Sequence, residues 1–220
     1  YLFLTHIDYF NQIQAKIATI PGAPGITELI AMPLLNNAAT LLLLISPLLT
    51  MRLIAEERRN ESLPLLLSAP LSSSEVVLGK FLGTFSFLLL LLLIISLMPL
   101  SLSIGSQLDF GLLASGLVGL ALLLSSFTAI GLFLSSLTKQ PTIAAMTTFS
   151  TLFLLWIIDW AGNTQLTSDS SSLFSWLSLL RHYETLLQGD VHSSDLAYYV
   201  IISVTFLVLT IRRLDSERLN

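Results

Sequence analysis

The chain has no cysteine, which removes disulfides, thiolate metal sites and cysteine nucleophiles. Charge is scarce: Asp, Glu, Lys and Arg make up 11% of the 220 residues, under half of the roughly 25% usual in soluble domains. Histidine is limited to His6, His182 and His192. None lies inside an apolar run and no His-Glu-x-x-His pattern occurs, so an intramembrane hydrolase would lack its base and its zinc ligands. Gly79-Lys80 is no phosphate loop, because Ser74 stands five residues earlier where glycine is required and Phe81 replaces the Ser or Thr. This chain is therefore not expected to bind ATP or any other cofactor itself. No basic face for nucleic acid stands out beyond positives close to the apolar runs. The opening residues Tyr1, Leu2, Phe3 and Leu4 lack the basic region and cleavage site of a signal peptide.

What the chain has is apolar length. Hydrophobic residues make up 54% and the mean hydropathy is +0.82. Five runs approach or exceed the ~20 residues that cross ~30 Å of hydrocarbon, the last only marginally. They are 29–54, with Pro33 and Pro47 inside it, then 76–104, 111–137, 142–160 and 196–211. None alternates apolar and polar as barrel strands do. The fold class is an all-α integral membrane protein with one transmembrane domain over 1–220.

The charges orient it. If the stretch before the first run lies outside, alternation puts Arg52, Arg58, Arg59, Lys80, Lys139, Arg212, Arg213 and Arg218 inside and leaves Lys16 and Arg181 outside. Basic residues flanking spans favour the cytoplasm, so the C-terminus is expected inside. An outside start without a signal peptide leads us to expect a sixth span upstream of Tyr1.

Two connections are long enough to be informative. The inner one, 55–75, begins Ala55-Glu56-Glu57-Arg58-Arg59-Asn60-Glu61-Ser62. Good helix formers carry the first helix past the membrane through Arg59. Ser62 can cap a short second helix with Pro64 in its first turn. Leu63, Leu66 and Leu67 share one face of it, Pro70 ends it, and Ser72-Ser73-Ser74-Glu75 reads as a capping box for the next span. Such a segment either docks a cytoplasmic partner or anchors the loop to anionic headgroups.

The outer connection is polar and Ser-rich over 161–172. It then places Leu173, Trp176, Leu177, Leu180, Tyr183 and Leu187 on one helical face, and Ser175, Ser178, His182 and Thr185 on the other. This predicts an amphipathic helix over 173–188 at the outer leaflet. His182 and Glu184 sit two residues apart, off a shared face, and read as an interfacial pair rather than a metal site. Gly79 with Gly83, and Ser115 with Gly119, have the spacing that lets helices approach closely in lipid, with packing inside the chain as the default. Asn36 and Asn37 lie in the first run, where amides need a partner helix or a polar path.

The run Glu56-Glu57-Arg58-Arg59, the Leu-rich turn, Ser68-Ala69-Pro70-Leu71-Ser72 and Glu75-Val76-Val77-Leu78-Gly79-Lys80-Phe81 resembles the ABC-2 type transporter permeases. It is most similar to the branch of the gliding-motility permease GldF and the copper-site maturation permease NosY. Leu180-Arg181-His182-Tyr183-Glu184, Gly189, Asp195 and Tyr198-Tyr199 resemble the far end of the same pattern. After the Arg pair the branch usually reads Gly-Thr-Leu-Glu, where this chain has Glu61-Ser62-Leu63-Pro64.

The resemblance implies a type V exporter-like helical bundle of six spans, the first lying upstream of residue 1, in a bacterial inner membrane. It implies two permease subunits, equal or different, and cytoplasmic ATPase subunits that supply ATP and magnesium. An auxiliary protein with a large extracytoplasmic domain is a further partner. In that picture 56–70 is the coupling helix, with Glu56, Glu57, Arg58, Arg59, Leu63, Leu66, Leu67 and Pro70 as ATPase contacts. Trp176, Leu180, His182, Glu184 and Gly189 belong to an outer re-entrant gate. Two other classes stand beside it: a nucleotide-independent transporter or channel, which would usually carry mid-membrane ionisable groups, and a membrane anchor of an envelope complex that transports nothing.

Overall fold

Helix α4, Phe110–Leu137, is the axis of the computed structural model: α1, α3, α5, α6 and α7 all pack on it. The structure describes residues 3–5, 7–9, 12, 25, 27–62, 71–104, 108–163 and 178–218. Among them every regular element is helical. The others are α1 (Met32–Thr50, after a π-helical turn Thr27–Ala31), α2 (Ala55–Arg59), α3 (Ser73–Ser101, closed by a 3-10 turn Leu102–Ile104), α5 (Pro141–Asn163), α6 (Leu179–Leu187) and α7 (Ser193–Arg218).

Four stretches, Thr27–Arg59, Ser73–Ser101, Phe110–Leu137 and Ser193–Arg218, are long and apolar enough to cross a membrane, and Pro141–Ile157 is a shorter apolar helix. This is the all-α membrane bundle expected, with changed boundaries. The last span is not the shortest, because α7 continues from 211 through Arg218 and carries Arg212, Arg213, Asp215 and Glu217 beyond the apolar part. The second span begins at Ser73 on the expected capping box. Ser72 Oγ accepts from the Glu75 amide at 3.3 Å, and the Ser72 amide donates to Glu75 Oε2 at 2.8 Å.

The first helix does not run unbroken to Arg59. It stops at Thr50, and residues 51–54 form a turn before α2. Pro47 is not where it breaks. The Leu43 carbonyl that Pro47 cannot reach receives the Ser46 hydroxyl instead, a local repair typical of membrane helices. The turn comes four residues later, where side chains from α3 and α4 capture the backbone.

Without a hydrophobic drive between helices in lipid, close packing and polar contacts hold such a bundle. The central helix is built for it. A Cβ on Gly116 would meet Leu35 and Leu187 at 3.0 and 3.1 Å, one on Gly119 would meet Leu186 at 3.0 Å, and one on Gly131 would overlap Thr50. Ser125 Oγ lies 2.7 Å from Ser203 Oγ of α7. α3 buries a narrower stripe, including Val77, Phe81, Leu88, Leu92 and Ser96, and leaves Leu82, Leu90, Leu93 and Leu97 exposed.

The up-and-down path gathers the ends of α1, α4 and α7 and the starts of α3 and α5 at one end of the bundle. Eight of the ten Lys and Arg residues belong to that end: Arg52, Arg58, Arg59, Lys80, Lys139, Arg212, Arg213 and Arg218.

Candidate functional site

The turn after α1 is held by two side chains. Ser135 Oγ, on α4, accepts from the amides of Ile54 and Ala55 at 3.2 and 3.1 Å and donates to the Met51 carbonyl at 3.0 Å. That saturates a hydroxyl, which offers one donor and two acceptor sites. Lys80 Nζ, on α3, donates to the Leu53 carbonyl at 2.6 Å and to Glu57 Oε1 at 2.6 Å. The start of α2 is thus anchored on α4 and on α3.

Its other end is anchored on α7. Arg58 Nη2 meets Glu217 Oε1 at 2.6 Å, with the Arg58 side chain only 10% exposed. Arg213, one turn back on α7, approaches the same oxygen at 3.3 Å. Arg218 Nη1 donates to the Leu71 carbonyl at 3.1 Å. Both flanks of 63–70 are therefore tied to the final turn of α7.

Glu57 and Arg58 are engaged within the chain, because ion pairs to α3 and α7 half-bury them, whereas Arg59, Asn60 and Glu61 are exposed. Glu56 is half-buried. Leu63, Leu66, Leu67 and Pro70 lie outside the described residues. Ser62 closes α2: its amide and hydroxyl both donate to the Glu57 carbonyl, at 3.0 and 3.2 Å. That closing turn puts Glu61 at φ +56°, the position after a helix end where glycine is favoured. The sequence shows Lys80 as a basic residue of the Glu75–Phe81 pattern without its partners, and neither Ser135 nor Glu217 stands out in it. The only trace of the last was a charged stretch after the final run.

At the opposite end, α6 begins at Leu179, with Ser178 in an extended conformation as its cap. The expected helix over 173–188 thus does not continue through 178, and Trp176 lies outside the described residues. Leu180, Tyr183, Leu186 and Leu187 are buried. The Ser115 hydroxyl donates to the Leu186 carbonyl, and Gly119 abuts Leu186 and Tyr183. Gly79 and Gly83, by contrast, have no atom of the described residues within 4 Å of a Cβ built on them. Among the described residues it is the second small-residue pair that packs on its neighbours.

His182 Nδ1 lies 2.8 Å from Asp195 Oδ1 at the start of α7, and the Thr185 hydroxyl lies 2.9 Å from Asp195 Oδ2. Glu184 is on the exposed side. The polar face of α6 is therefore docked on α7 rather than turned to water. The Tyr198 ring covers His182 at 4.2 Å between centroids, and the Tyr199 hydroxyl donates to the Leu179 carbonyl at 2.6 Å. Burial pushes the Tyr183 phenol well above its ordinary pKa. Gly189 adopts φ +88°. The Gly189 and Asp190 amides donate to Leu186 and Thr185 carbonyls at 3.2 and 3.1 Å, the Schellman closure of a helix. No cluster of three metal-ligating side chains forms among the described residues.

Asn37 lines an apolar cleft of about 460 Å³ between α1 and α3, with Leu41, Ile45, Leu91, Ile94 and Met98 among its walls. The Asn36 carbonyl receives the Thr40 hydroxyl at 3.2 Å.

Taken from end to end, α7 joins the two clusters. Asp195 holds α6 at one end, Glu217 and Arg218 hold the flanks of 63–70 at the other, and the intervening turns pack on α4. A family model described as ABC-2 family transporter protein matches residues 2–219. No curated protein matches the chain.

Proposed function

The chain belongs to the ABC-2 transporter family, and from that premise we propose that it is the transmembrane permease subunit of an ATP-binding cassette exporter. ATP and magnesium belong to a separate cytoplasmic ATPase, which docks on the loop 55–70. The contact surface is Arg59, Asn60, Glu61 and the residues that follow. Glu57 and Arg58 act behind it, as the tethers that carry its movement to α3 and α7.

The observation that supports this reading best is that Arg58 and Leu71, on either side of 63–70, are both tied to α7, through Glu217 and Arg218. A push on the loop reaches a rigid helix whose far end carries α6 through Asp195. ATP binding in the partner would then shift α7 along α4 and move α6, the outer gate. Leu180, His182, Glu184 and Gly189 belong to that gate with Trp176, and Leu63, Leu66, Leu67 and Pro70 to the coupling surface. We place the protein in a bacterial inner membrane with its C-terminus cytoplasmic, because eight of ten basic residues flank one end of the bundle. We assign it to the GldF/NosY-like branch on its inner-loop and His182–Tyr199 patterns. It works as a dimer of permease subunits, with an auxiliary extracytoplasmic protein as a further partner. The open space beside Gly79 and Gly83 makes that face of α3 available to a second subunit.

The test is purification in mild detergent from the native host, followed by a vanadate-sensitive ATPase assay of the eluate. Co-purification of an active ATPase supports the permease. A clean eluate with neither subunit nor activity overturns it in favour of an anchor or a nucleotide-independent transporter.

A further inference from the structure

We propose that a cleft at the foot of α5 binds the phosphate headgroup of an anionic phospholipid whose acyl chain lies along an aromatic stripe of the same helix. The cleft, about 470 Å³, lies between α2 and the turn into α5. It is lined by Arg58, Arg59, Glu61, Lys139, Gln140 and Thr142, with Pro141 as the first residue of α5. Arg58 is already matched by Glu217. The remaining charges are Arg59 and Lys139 against Glu61, a net positive site. To these α5 adds its N-terminus, where the first amides have no acceptor in their own helix and the peptide dipoles leave partial positive charge.

The position argues for lipid. Arg58 and Arg59 follow the first span, and Pro141 begins an apolar helix, so the cleft sits where spans leave the hydrocarbon and headgroups reside. Basic pockets between helices on that side suit anionic headgroups.

The stripe above the cleft is an independent observation. Thr142, Met146, Phe149, Phe153 and Trp156 follow one another at intervals of four and three residues, the spacing of a single helix face. Met146 is 66% exposed and Phe149, Phe153 and Trp156 are 37–39% exposed. Their rings stack in sequence, Phe149 on Phe153 at 5.5 Å and Phe153 on Trp156 at 5.6 Å. At 1.5 Å per residue the stripe rises about 21 Å, more than the ~15 Å of one hydrocarbon leaflet. An acyl chain extending from a phosphate in the cleft would run along it.

The proposal rests on the inward orientation above only for which leaflet supplies the lipid. It is tested in detergent on the whole chain by native mass spectrometry, with phosphatidylglycerol and phosphatidylcholine of identical acyl chains. The chain should retain phosphatidylglycerol in preference. At about fivefold per basic residue, Arg59→Gln with Lys139→Gln should lower that retention roughly 25-fold and leave phosphatidylcholine unchanged. Met146→Asn should lower retention of both lipids.

Equal retention of the two lipids, or an unchanged preference in the double variant, overturns the headgroup site. Unchanged retention by Met146→Asn overturns the acyl stripe. Displacement of phosphatidylglycerol by millimolar inorganic phosphate would reassign the cleft to a soluble anion and overturn the lipid. No ATPase enters this measurement, so its failure and a failure of ATPase capture are told apart.

Discussion

Arg58 and Glu217 are 159 residues apart in the chain, yet Arg58 Nη2 and Glu217 Oε1 lie 2.6 Å apart. The pair closes the gap between a five-residue helix after the first span and the last turn of the final span. A five-residue helix makes almost no cooperative hydrogen bonding of its own, so α2 depends on such outside anchors. Through this one, α2 shares its position with α7.

The pair's strength can be measured. Arg58 is nearly desolvated and Glu217 keeps Arg213 as a second partner. Arg58→Ala should therefore cost about 1–2 kcal/mol, above a surface pair and below a fully buried one. The reversed pair Arg58→Glu with Glu217→Arg should recover part of both melting temperature and ATPase stimulation. Arg59→Ala should leave melting unchanged while weakening ATPase capture. If Arg58→Ala leaves both melting and stimulation intact, the tether has no role.

Ser135 satisfies three backbone groups in the turn after α1 and at the start of α2. Ser135→Ala strands the Ile54 and Ala55 amides and should destabilise by about 2 kcal/mol or more. Ser136→Ala, whose hydroxyl reaches only the Phe133 carbonyl of its own helix, should cost clearly less. Equal losses in thermal unfolding of the two variants would contradict the assignment.

Glycines on α3 and α4 should behave oppositely. A Cβ on Gly131 would sit 2.2 Å from Thr50 Oγ1, so Gly131→Ala should destabilise by about 1–3 kcal/mol through overpacking. Gly79→Ala meets open space and should be neutral or gain up to ~1 kcal/mol of helix propensity. Unfolding of detergent-solubilised protein reads both. A destabilised Gly79→Ala in the dimeric form alone would locate the subunit contact on α3.

Glu61 occupies a left-handed backbone position, φ +56°, that costs an L-residue about 1 kcal/mol or more. Glu61→Gly should raise stability by about 0.5–1 kcal/mol, the gain being trimmed by glycine's larger entropy when unfolded. A melting temperature that falls would show that the Glu61 side chain contributes more than the strain removes.

The outer cluster makes its own prediction. Asp195 accepts from both His182 and Thr185, so Asp195→Ala should loosen α6. Hydrogen exchange over Leu179–Leu187 should speed by about tenfold, an opening free energy lowered by about 1.4 kcal/mol. Asp190→Ala, at an exposed position, should leave that segment unchanged. The same acceleration in both variants would remove Asp195 from the role.

Much of this architecture was legible because it is local. Apolar runs of spanning length, the Ser72–Glu75 capping box and the crowding of basic residues at one end each depend on residues within a few turns of one another. So did the buried side of α6, where Leu180, Tyr183 and Leu187 share a face. The longer reach of α7 was not legible from hydropathy, since Arg212 to Arg218 look like a polar tail. Their contacts with Arg58 and Leu71 make that tail part of the basic end of the bundle.

The sequence by itself determined that this is a helical membrane protein with several apolar runs of spanning length, and that its positive charge gathers at one end of them. Hydrophobic length and charge placement act on each segment separately against lipid and water, so they need no knowledge of neighbours. The tertiary structure alone decided what breaks the first helix, which partner each charged residue takes, and which small residues pack. Those outcomes turn on hydrogen-bond geometry between segments some 13 to 159 residues apart in the chain. A hydroxyl at Ser135, an ammonium at Lys80 and a carboxylate at Glu217 acquire their roles only once the bundle brings a backbone or a cation within about 3 Å of them.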